Sequence, residues 1–502
     1  MRKWWKQRGR KATPKHGSVL GRVVRFVRGW YDAARPTDEN RRHWAAADNL
    51  SARAANSLEV RRTLRARARY EVANNSYAKG IVKTLANFAV GTGPRLQLLT
   101  DDERANRLIE REFIRWAKAV SLAHKLRTMR MAQCETGEVF AIQVTNPNID
   151  APVKLDLKVI EADYVTTPWS VKTRLDDERM VDGIEFDAYG NPSKYYVLRY
   201  HPGDGPSWSG SKPDHDELEA KDVIHLFRVD RPGQVRGIPE ITSSVSLFAI
   251  MRRYTLAVLG AAEQAALPGG VVHTDSTADP DENVEPMDQI ELDRGTWLTM
   301  PLGWRISQVK AEQPTTTYGD FKHEVINEAA RCIDMPYNIA AGNSSGYNYA
   351  SGRLDHQSFF KAIRIDQNHL DDVVLDRVFA WWLNEAVLIE GYLPQWVRQR
   401  GVYLPRQWFW DGYEHVDPAK EANAQDTHLN NHTTTLAAEY AKKGLDWEEE
   451  LRQRARELKL MRELGLTPAD VRAPSGADDD AADEDEEEDE ESESAARTAV
   501  AV

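Results

Sequence analysis

The chain has 502 residues, enough for two or three domains with cores of their own. Its charged fraction of 29% and hydrophobic fraction of 41% are ordinary for a soluble globular protein. Only two cysteines are present, Cys134 and Cys332, so the sequence supports neither a disulfide framework nor a zinc ribbon.

Charge is distributed unevenly along the chain. The net charge is −12, yet residues 1–31 carry ten Lys or Arg and no acidic residue, whereas Asp and Glu supply 13 negative charges between Asp478 and Glu493. Blocks of like charge stay solvated and serve as interaction arms. We therefore expect a basic, disordered arm at 1–40, which lacks the apolar core of a secretory signal, and an acidic, disordered tail at 471–502.

The first half of the chain predicts helices followed by a β-rich segment. Apolar residues at three- and four-residue spacings predict helices over 44–90 and about 101–133. The segment GTGP at 91–94 ends the first of these, because Gly and Pro stop helices. Residues 137–228 contain short β-rich runs, and DAYGNP between two of them predicts a hairpin turn.

The second half predicts long helices around a mixed insert. Helices are expected at about 238–266, 318–334, 351–390 and 417–465. The insert over 271–318 contains two predicted strands, GVVHT and GTWLTMP. The stretch 239–266 is the most apolar, but Arg252 and Arg253 in its middle argue against a membrane span, because their insertion would cost several kcal/mol.

Residues 340–352 read AAGNSSGYNYASG and contain G-x-S-x-G, the nucleophile motif of many serine hydrolases. In those enzymes the serine lies between a buried strand and a helix. Here the preceding segment has Phe321, Val325 and Ile326 at helical spacing. A mobile loop is therefore favoured over a catalytic Ser344, and the hydrolase remains the alternative.

Phosphate and metal motifs are incomplete. The sequence has no G-x-x-x-x-G-K-[ST], so we do not expect it to hydrolyse ATP, and GTG at 91–93 ends a helix instead of opening one. HEVIN at 323–327 has Asn327 where a zinc protease needs its second His, so His323 is interpreted as a partly exposed helix residue. We predict no metal and no cofactor.

Five arginines lie close together on one predicted helix: Arg61, Arg62, Arg65, Arg67 and Arg69. They could contact nucleic-acid phosphates, or they could form ion pairs with acidic neighbours such as Glu71. The ion pairs are slightly favoured.

Several segments carry a resemblance when they are taken together and in order. These are YEVANNSYAKGIVKTLANFAVGTGP (70–94), VDGIEFDAYGNPSKYYVLRYHPGD (181–204), VIHLFRVDRPGQVRGIPEI (223–241), DPAKEANA (417–424) and GLDWEEELRQRARE (444–457). From about residue 40 to 465 the chain resembles the lambda-type portal proteins of tailed bacteriophages. The most distinctive match is R-P-G-Q-x-R-G-x-P.

The resemblance implies an α+β portal fold, assembled as a ring that is typically of twelve subunits. The family has a mainly helical stem and crown, a β-containing wing and a small α/β clip. The implied divisions are the wing at 41–236, the first stem helix at 237–266, the clip at 267–317, the second stem helix at 318–336, the tunnel loop at 337–351, a long helix and return through the wing at 352–416, and crown helices at 417–470.

The same resemblance implies a channel at one capsid vertex, through which double-stranded DNA is packaged and ejected without sequence specificity. Implied partners are other copies of the chain, the terminase large subunit, head-tail adaptor proteins, and the major capsid and scaffold proteins. The protein would lie in the virion after assembly in the host cytoplasm, with no membrane partner and no enzymatic activity. Another virion structural protein, such as a neck adaptor or a capsid component, remains the main alternative.

The predicted tunnel loop is uncharged, since residues 340–352 contain no Asp, Glu, Lys or Arg. Basic side chains would hold phosphates tightly, so neutral contacts predict a slippery collar around DNA. The residues expected to face DNA are Asn343, Ser344, Ser345, Tyr347, Asn348 and Tyr349. The predicted hinges are Gly342, Gly346 and Gly352, because glycine permits positive φ. The candidates for basic contacts in the stem or between subunits are Arg252, Arg253, Arg61 and Arg65.

Overall fold

The computed structural model describes ten segments of the chain. They are residues 42–168, 179–204, 215–266, 270–274, 304–308, 318–346, 349–399, 404–412, 418–443 and 445–466. The described residues form helices and antiparallel sheets, which is the predicted α+β class. The predicted basic arm at 1–40 and acidic tail at 471–502 lie outside the described residues.

The first predicted helical run is divided into three helices, α1 (Ala52–Ala55), α2 (Leu58–Asn74) and α3 (Ser76–Val90). Asn75 separates the last two, because its side chain accepts hydrogen bonds from the first backbone N–H groups of α3. The predicted end of the run is confirmed at Gly91, where φ is +55°.

The second predicted helix is also divided. After strand β1 (Arg95–Leu98), α4 spans Glu103–Ala119 and α5 spans Leu122–Thr136. Ser121 lies between these two helices with φ +54°, a conformation that ends a helix. Helical periodicity continues across this break, which is why the sequence predicted a single helix.

Two antiparallel sheets follow. The first has the order β3 (Leu155–Glu161), β2 (Glu138–Thr145) and β8 (Val223–Phe227). The strands of the second, in sheet order, are β4 (Met180–Val181), β5 (Ile184–Phe186), β6 (Pro192–Leu198) and β7 (His215–Glu219). The predicted DAYGNP hairpin joins β5 to β6, with Gly190 at φ +87°.

Beyond the sheets come α6 (Val245–Ala266) and a hairpin of β9 (Gly270–Thr274) with β10 (Trp304–Gln308). The strand GVVHT is therefore confirmed, whereas GTWLTMP lies outside the described residues. The chain continues with α7 (Tyr318–Arg331) and the short α8 (Tyr337–Ala341).

The predicted helix at 351–390 consists of α9 (Tyr349–Leu370), a π-helical turn at Asp371–Leu375 and α10 (Asp376–Ala386). The sequence analysis missed β11 (Arg406–Phe409), which pairs with β1 over 300 residues away. The last helices are α11 (Pro418–Asn430), α12 (Leu436–Lys442) and α13 (Trp447–Glu463), in the region where helices were predicted.

Strand β2 is buried on both faces and separates two cores. Val139 and Ala141 pack into a cluster that contains Trp116 and Trp382, while Phe140 packs with residues of the four-stranded sheet. A third cluster joins α2, α3, α6, α7 and α9. The start of β2, which directly follows α5, therefore lies where the two sheets meet the helices.

Candidate functional site at the junction of sheet and helices

Glu138, the first residue of β2, is fully buried. Its carboxylate accepts hydrogen bonds from Arg236 at 2.7 Å, His225 at 3.0 Å, Arg65 at 3.2 Å and the backbone N–H of Gly237 at 2.9 Å. A buried carboxylate without such donors would be strongly destabilising. This set of residues, here called the Glu138 network, therefore fixes α2, β8 and the loop before α6 against β2.

Burial and ion pairing act in opposite directions on the pKa of Glu138. Burial would raise this pKa, but the Arg236 guanidinium and the hydrogen bond from His225 hold it well below its usual value. The imidazole of His225 stacks on Phe140 and Phe227, each at 4.3 Å between ring centroids. Burial lowers the pKa of His225, so its ring is neutral at pH 7 and donates one N–H to Glu138.

The Gln234 side chain holds the segment R-P-G-Q-x-R-G-x-P in place through hydrogen bonds to its backbone. The side-chain oxygen of Gln234 accepts hydrogen bonds from the backbone N–H groups of Asp230 and Arg231. Its amide nitrogen donates to the carbonyl oxygens of Arg228 and Arg236, at 3.3 and 3.0 Å. The loop therefore presents Arg236 to Glu138 in a fixed orientation.

Two glycines allow the backbones to cross at this point. A Cβ atom on Gly237 would lie 2.0 Å from the carbonyl oxygen of Gly137, and one on Gly137 would lie 2.2 Å from the carbonyl carbon of Ile238. Gly137 also has φ +89°, which other residues rarely adopt. No larger residue fits at either position without moving the chain.

A second buried ion cluster lies beside the first. Arg130 of α5 donates to Glu240 at 3.0 Å and to Asp366 of α9 at 2.7 Å. Burial would lower the pKa of Arg130, but the two carboxylates outweigh it and raise the pKa above its ordinary value. Arg130 is therefore charged, and it joins α5 and α9 to the segment that leads into α6.

Helix α6 has one face inside the chain and one face outside it. Phe248 is buried with residues of α7 and α9, and Arg252 forms an ion pair at 3.0 Å with Glu71 of α2. Three apolar side chains on α6 are more than half exposed: Ile250, Leu256 and Leu259. Within the described segments, Thr242–Glu263 is long and apolar enough to cross a membrane, although it contains Arg252 and Arg253.

The predicted loop at 337–351 is shorter than expected. Residues 337–341 of the predicted loop form helix α8, in which Asn338 and Ala340 are buried. Tyr349 was placed in the loop and is instead the first residue of α9. Gly352 was predicted as a hinge, but it lies in the first turn of α9, where helical hydrogen bonding fixes φ.

The remaining loop residues 342–346 are exposed. Gly342 and Gly346 have φ +63° and +90°, in the region that glycine adopts readily, and their hinge role stays a prediction. The Asn343 side chain accepts hydrogen bonds from Ser345 N and Oγ. Tyr347 and Asn348 lie outside the described residues. Ser344 follows helix α8, so the strand that a hydrolase nucleophile requires is missing at this position.

Three of the five arginines of α2 confirm the ion-pair interpretation, with different partners from the one expected, whereas Arg62 and Arg67 are exposed. Arg65 pairs with Glu138 and Asp163, Arg69 with Glu161 and Asp163, and Arg61 with Asp182, whereas Glu71 pairs with Arg252. Arg61 and Arg65 are 1% and 2% exposed. Both side chains lie inside the chain instead of on its surface, so direct contact between subunits through them is not supported. Arg253 is exposed.

Three side chains of possible metal-ligand type come close together: Glu161, Asp163 and His201 lie within 4.8 Å of one another. Arg69 already forms ion pairs of 2.9 Å with both carboxylates. The guanidinium therefore supplies the positive charge that a cation would bring. His323, which the sequence left as an ordinary residue, is exposed and stacks on Tyr337.

Sequence reasoning missed Glu138, His225, Arg130 and Glu240. One signal was available for Glu138, since GEVFAIQVT places a carboxylate at the start of an otherwise apolar run. An acidic residue in such a strand requires a buried partner. The identity of that partner depends on chain segments about 70 to 100 residues away, so it could not be read from spacing.

The described residues thus form a mixed helix-and-sheet subunit whose sheets and helices meet at a buried ion-pair network. Residues 38–367 match the family model "Phage portal protein, lambda family". This match covers more than half of the chain, so the chain belongs to the lambda family of phage portal proteins, as the resemblance predicted. That family is structural, not enzymatic.

The chain is also similar to individual proteins. The chain is 27% identical over 431 residues to the "Probable portal protein" of Halomonas phage phiHAP-1, covering 80% of this chain and 81% of the relative. Among solved structures, the neck of an empty GTA particle computed with C6 symmetry gives a TM-score of 0.46 at 13% identity, covering 74% of this chain and 91% of that one. The neck of a native GTA particle computed with C12 symmetry gives 0.42 at 14% identity, covering 75% and 92%.

Substitution Glu138→Gln tests the network. It leaves Arg236 and Arg65 buried without their shared countercharge, and breaking a buried ion pair in this way costs about 3–5 kcal/mol. Urea denaturation of the purified protein measures the loss. The control is Glu161→Gln. The Glu161 side chain is 58% exposed and pairs with Arg69, so a loss of only about 0–1 kcal/mol in the free energy of unfolding is expected. Equal losses in the two variants would contradict the role of the network.

His225 makes stability depend on pH. Because the folded state lowers its pKa below 6.5, the unfolded state binds the extra proton as pH falls, and stability is lost from pH 7 toward pH 5. The maximal slope for one proton is about 1.4 kcal/mol per pH unit. His225→Gln should reduce the slope measured by urea denaturation, and His323→Gln, at an exposed position, should retain it. An unchanged slope in His225→Gln would show that other groups cause the dependence.

Proposed function

We propose that this chain forms a ring-shaped portal at one vertex of the capsid, through which double-stranded DNA is packaged and later ejected. The observation that carries this proposal is the family match over residues 38–367. In the proposal the ring is a dodecamer, assembled in the host cytoplasm and retained in the virion. It docks the terminase large subunit first and head-tail adaptor proteins afterwards, and it contacts the major capsid and scaffold proteins.

The exposed face of α6 supports assembly into a ring. Leu256 and Leu259, which are neighbours at i and i+3 on the helix surface, are 60% and 56% exposed, and Ile250 elsewhere on the helix is 58% exposed. Exposed apolar surface of this kind marks contact with another protein. A closed ring uses two different patches of each subunit, so this face would meet another surface of the neighbouring copy. In this proposal α6 and α7 are the two stem helices.

The loop at 342–346 supports contact with DNA that does not retain it. Its described residues are exposed and carry no charge. Affinity for duplex DNA comes largely from Lys and Arg that neutralise phosphates and release counterions. Asn343, Ser344 and Ser345 offer neutral hydrogen bonds only, so a ring of such loops would form a collar through which DNA slides.

Translocation would draw its energy from a partner, because the sequence has no P-loop. Negative-stain microscopy of the purified protein tests the proposal most directly. A ring with a central channel would separate a portal from a capsid component. Twelvefold symmetry with docking of the terminase large subunit would separate it from a neck adaptor.

The exposed face of α6 predicts a specific assembly defect. Leu256→Glu combined with Leu259→Glu should abolish rings and leave folded monomers, because charge would be buried at the contact. Analytical ultracentrifugation and negative-stain images measure the outcome, and circular dichroism monitors folding. Leu388→Glu is the control, since Leu388 is 79% exposed outside α6. Rings that persist in the double variant would contradict this interface.

The collar predicts an effect of added charge. Asn343→Lys combined with Ser344→Lys should slow DNA packaging and tighten DNA retention, with a steeper dependence on salt concentration. The neutral pair Asn343→Gln and Ser344→Thr serves as the control and should package normally. Packaging of DNA into proheads in vitro and its release at several salt concentrations are measured. The collar is refuted if the lysine variant packages and retains DNA like the control.

A further inference from the structure

A recessed pocket of about 190 Å³ lies beside the Glu138 network. It is formed where α2 begins, with Asn56 and Ser57 on one side and the turn at Asp182 on the other. Arg61 and Arg236 also line it. None of the functions assigned above uses this pocket.

Among the described residues, three hydrogen-bond donors in the pocket lining have no acceptor. Arg61 is 1% exposed, and its Nη2 donates to Asp182, but its Nε and Nη1 are buried without a hydrogen-bond partner. The side-chain Nδ2 of Asn56 is buried and without a partner as well. Buried donors are nearly always paired in native proteins. Because all three groups can only donate, the missing partner is a group that accepts.

The positive charge at the pocket is only partly neutralised. Arg61 and Arg236 both line it, but Arg236 and Arg65 already share Glu138, so Asp182 is the carboxylate that pairs with Arg61. Burial and the nearby Arg236 lower the pKa of Arg61 to about 9, as expected where positive charge is only partly compensated. Ser57 is the N-cap of the 17-residue α2, whose N-terminal end carries partial positive charge.

We propose that this pocket binds one oxyanion, a carboxylate or a phosphate group, through one unpaired nitrogen of Arg61, Nε or Nη1, and through Nδ2 of Asn56. A bound anion gives both residues an acceptor and completes the ion pairing of Arg61. The turn at Asp182 borders the pocket, and its carbonyl oxygen accepts a hydrogen bond from Arg236. The pocket thus links an anion to the same arginine that holds Glu138, and the inference does not depend on the proposed portal function.

Isothermal titration of the full-length protein with inorganic phosphate, and separately with acetate, tests the proposal. Saturable binding at one anion per chain is expected for at least one of the two, and the tighter of them gives the class of oxyanion. Loss of a hydrogen bond to a charged group weakens binding by roughly tenfold or more, and this weakening is expected in both Asn56→Ala and Arg61→Met. Asn56 is partly exposed, so its variant tests the pocket even if Arg61→Met does not fold.

Arg62→Met is the matched control. Arg62 adjoins Arg61, carries the same charge and is exposed outside the pocket, so this variant should bind like the unmodified protein. Absence of saturable binding, or equal weakening in Arg62→Met and Asn56→Ala, would overturn the proposal.

Discussion

The carboxylate of Glu138 is fully buried and accepts hydrogen bonds from residues of α2, β8 and the loop that leads into α6. A buried charge tolerates little displacement of its partners, because each lost hydrogen bond leaves a desolvated charge. Strand β2 therefore determines where three separate segments lie. The R-P-G-Q-x-R-G-x-P segment serves this carboxylate, since Gln234 orients the loop and Arg236 reaches into the core.

Backbone contact at Gly137 and Gly237 complements the ion pairs. The two backbone segments cross too closely for either position to carry a side chain, so the ion pairs form at a fixed distance. The Arg130 cluster attaches α9 to the same junction through Asp366. The exposed, uncharged loop at 342–346 then lies between two helices that both pack into one core cluster, since α8 precedes it and α9 follows it.

Charge and apolar surface are arranged in the way that a subunit of a larger assembly needs. Arg61, Arg65 and Arg130 are satisfied largely inside one chain, whereas leucines of α6 are exposed. Exposed apolar side chains on a helix this long gain free energy only when another surface covers them. Oxyanion binding at Arg61 would supply an acceptor to the arginine of this group that has two unpaired guanidinium nitrogens, whereas Arg65 has one.

The sequence by itself determined the positions of most helices and the hairpin at Gly190, because these depend on local periodicity and turn chemistry. The family and its α+β portal fold came from the resemblance of several segments taken in order. The sequence also indicated that the arginines of α2 form ion pairs. Only the tertiary structure decided which carboxylates they meet, that Arg61 and Arg65 are buried, that β11 pairs with β1, and that Gly352 is helical. Those outcomes depend on contacts between residues far apart in sequence, and no local pattern specifies which distant charge will neutralise a buried one.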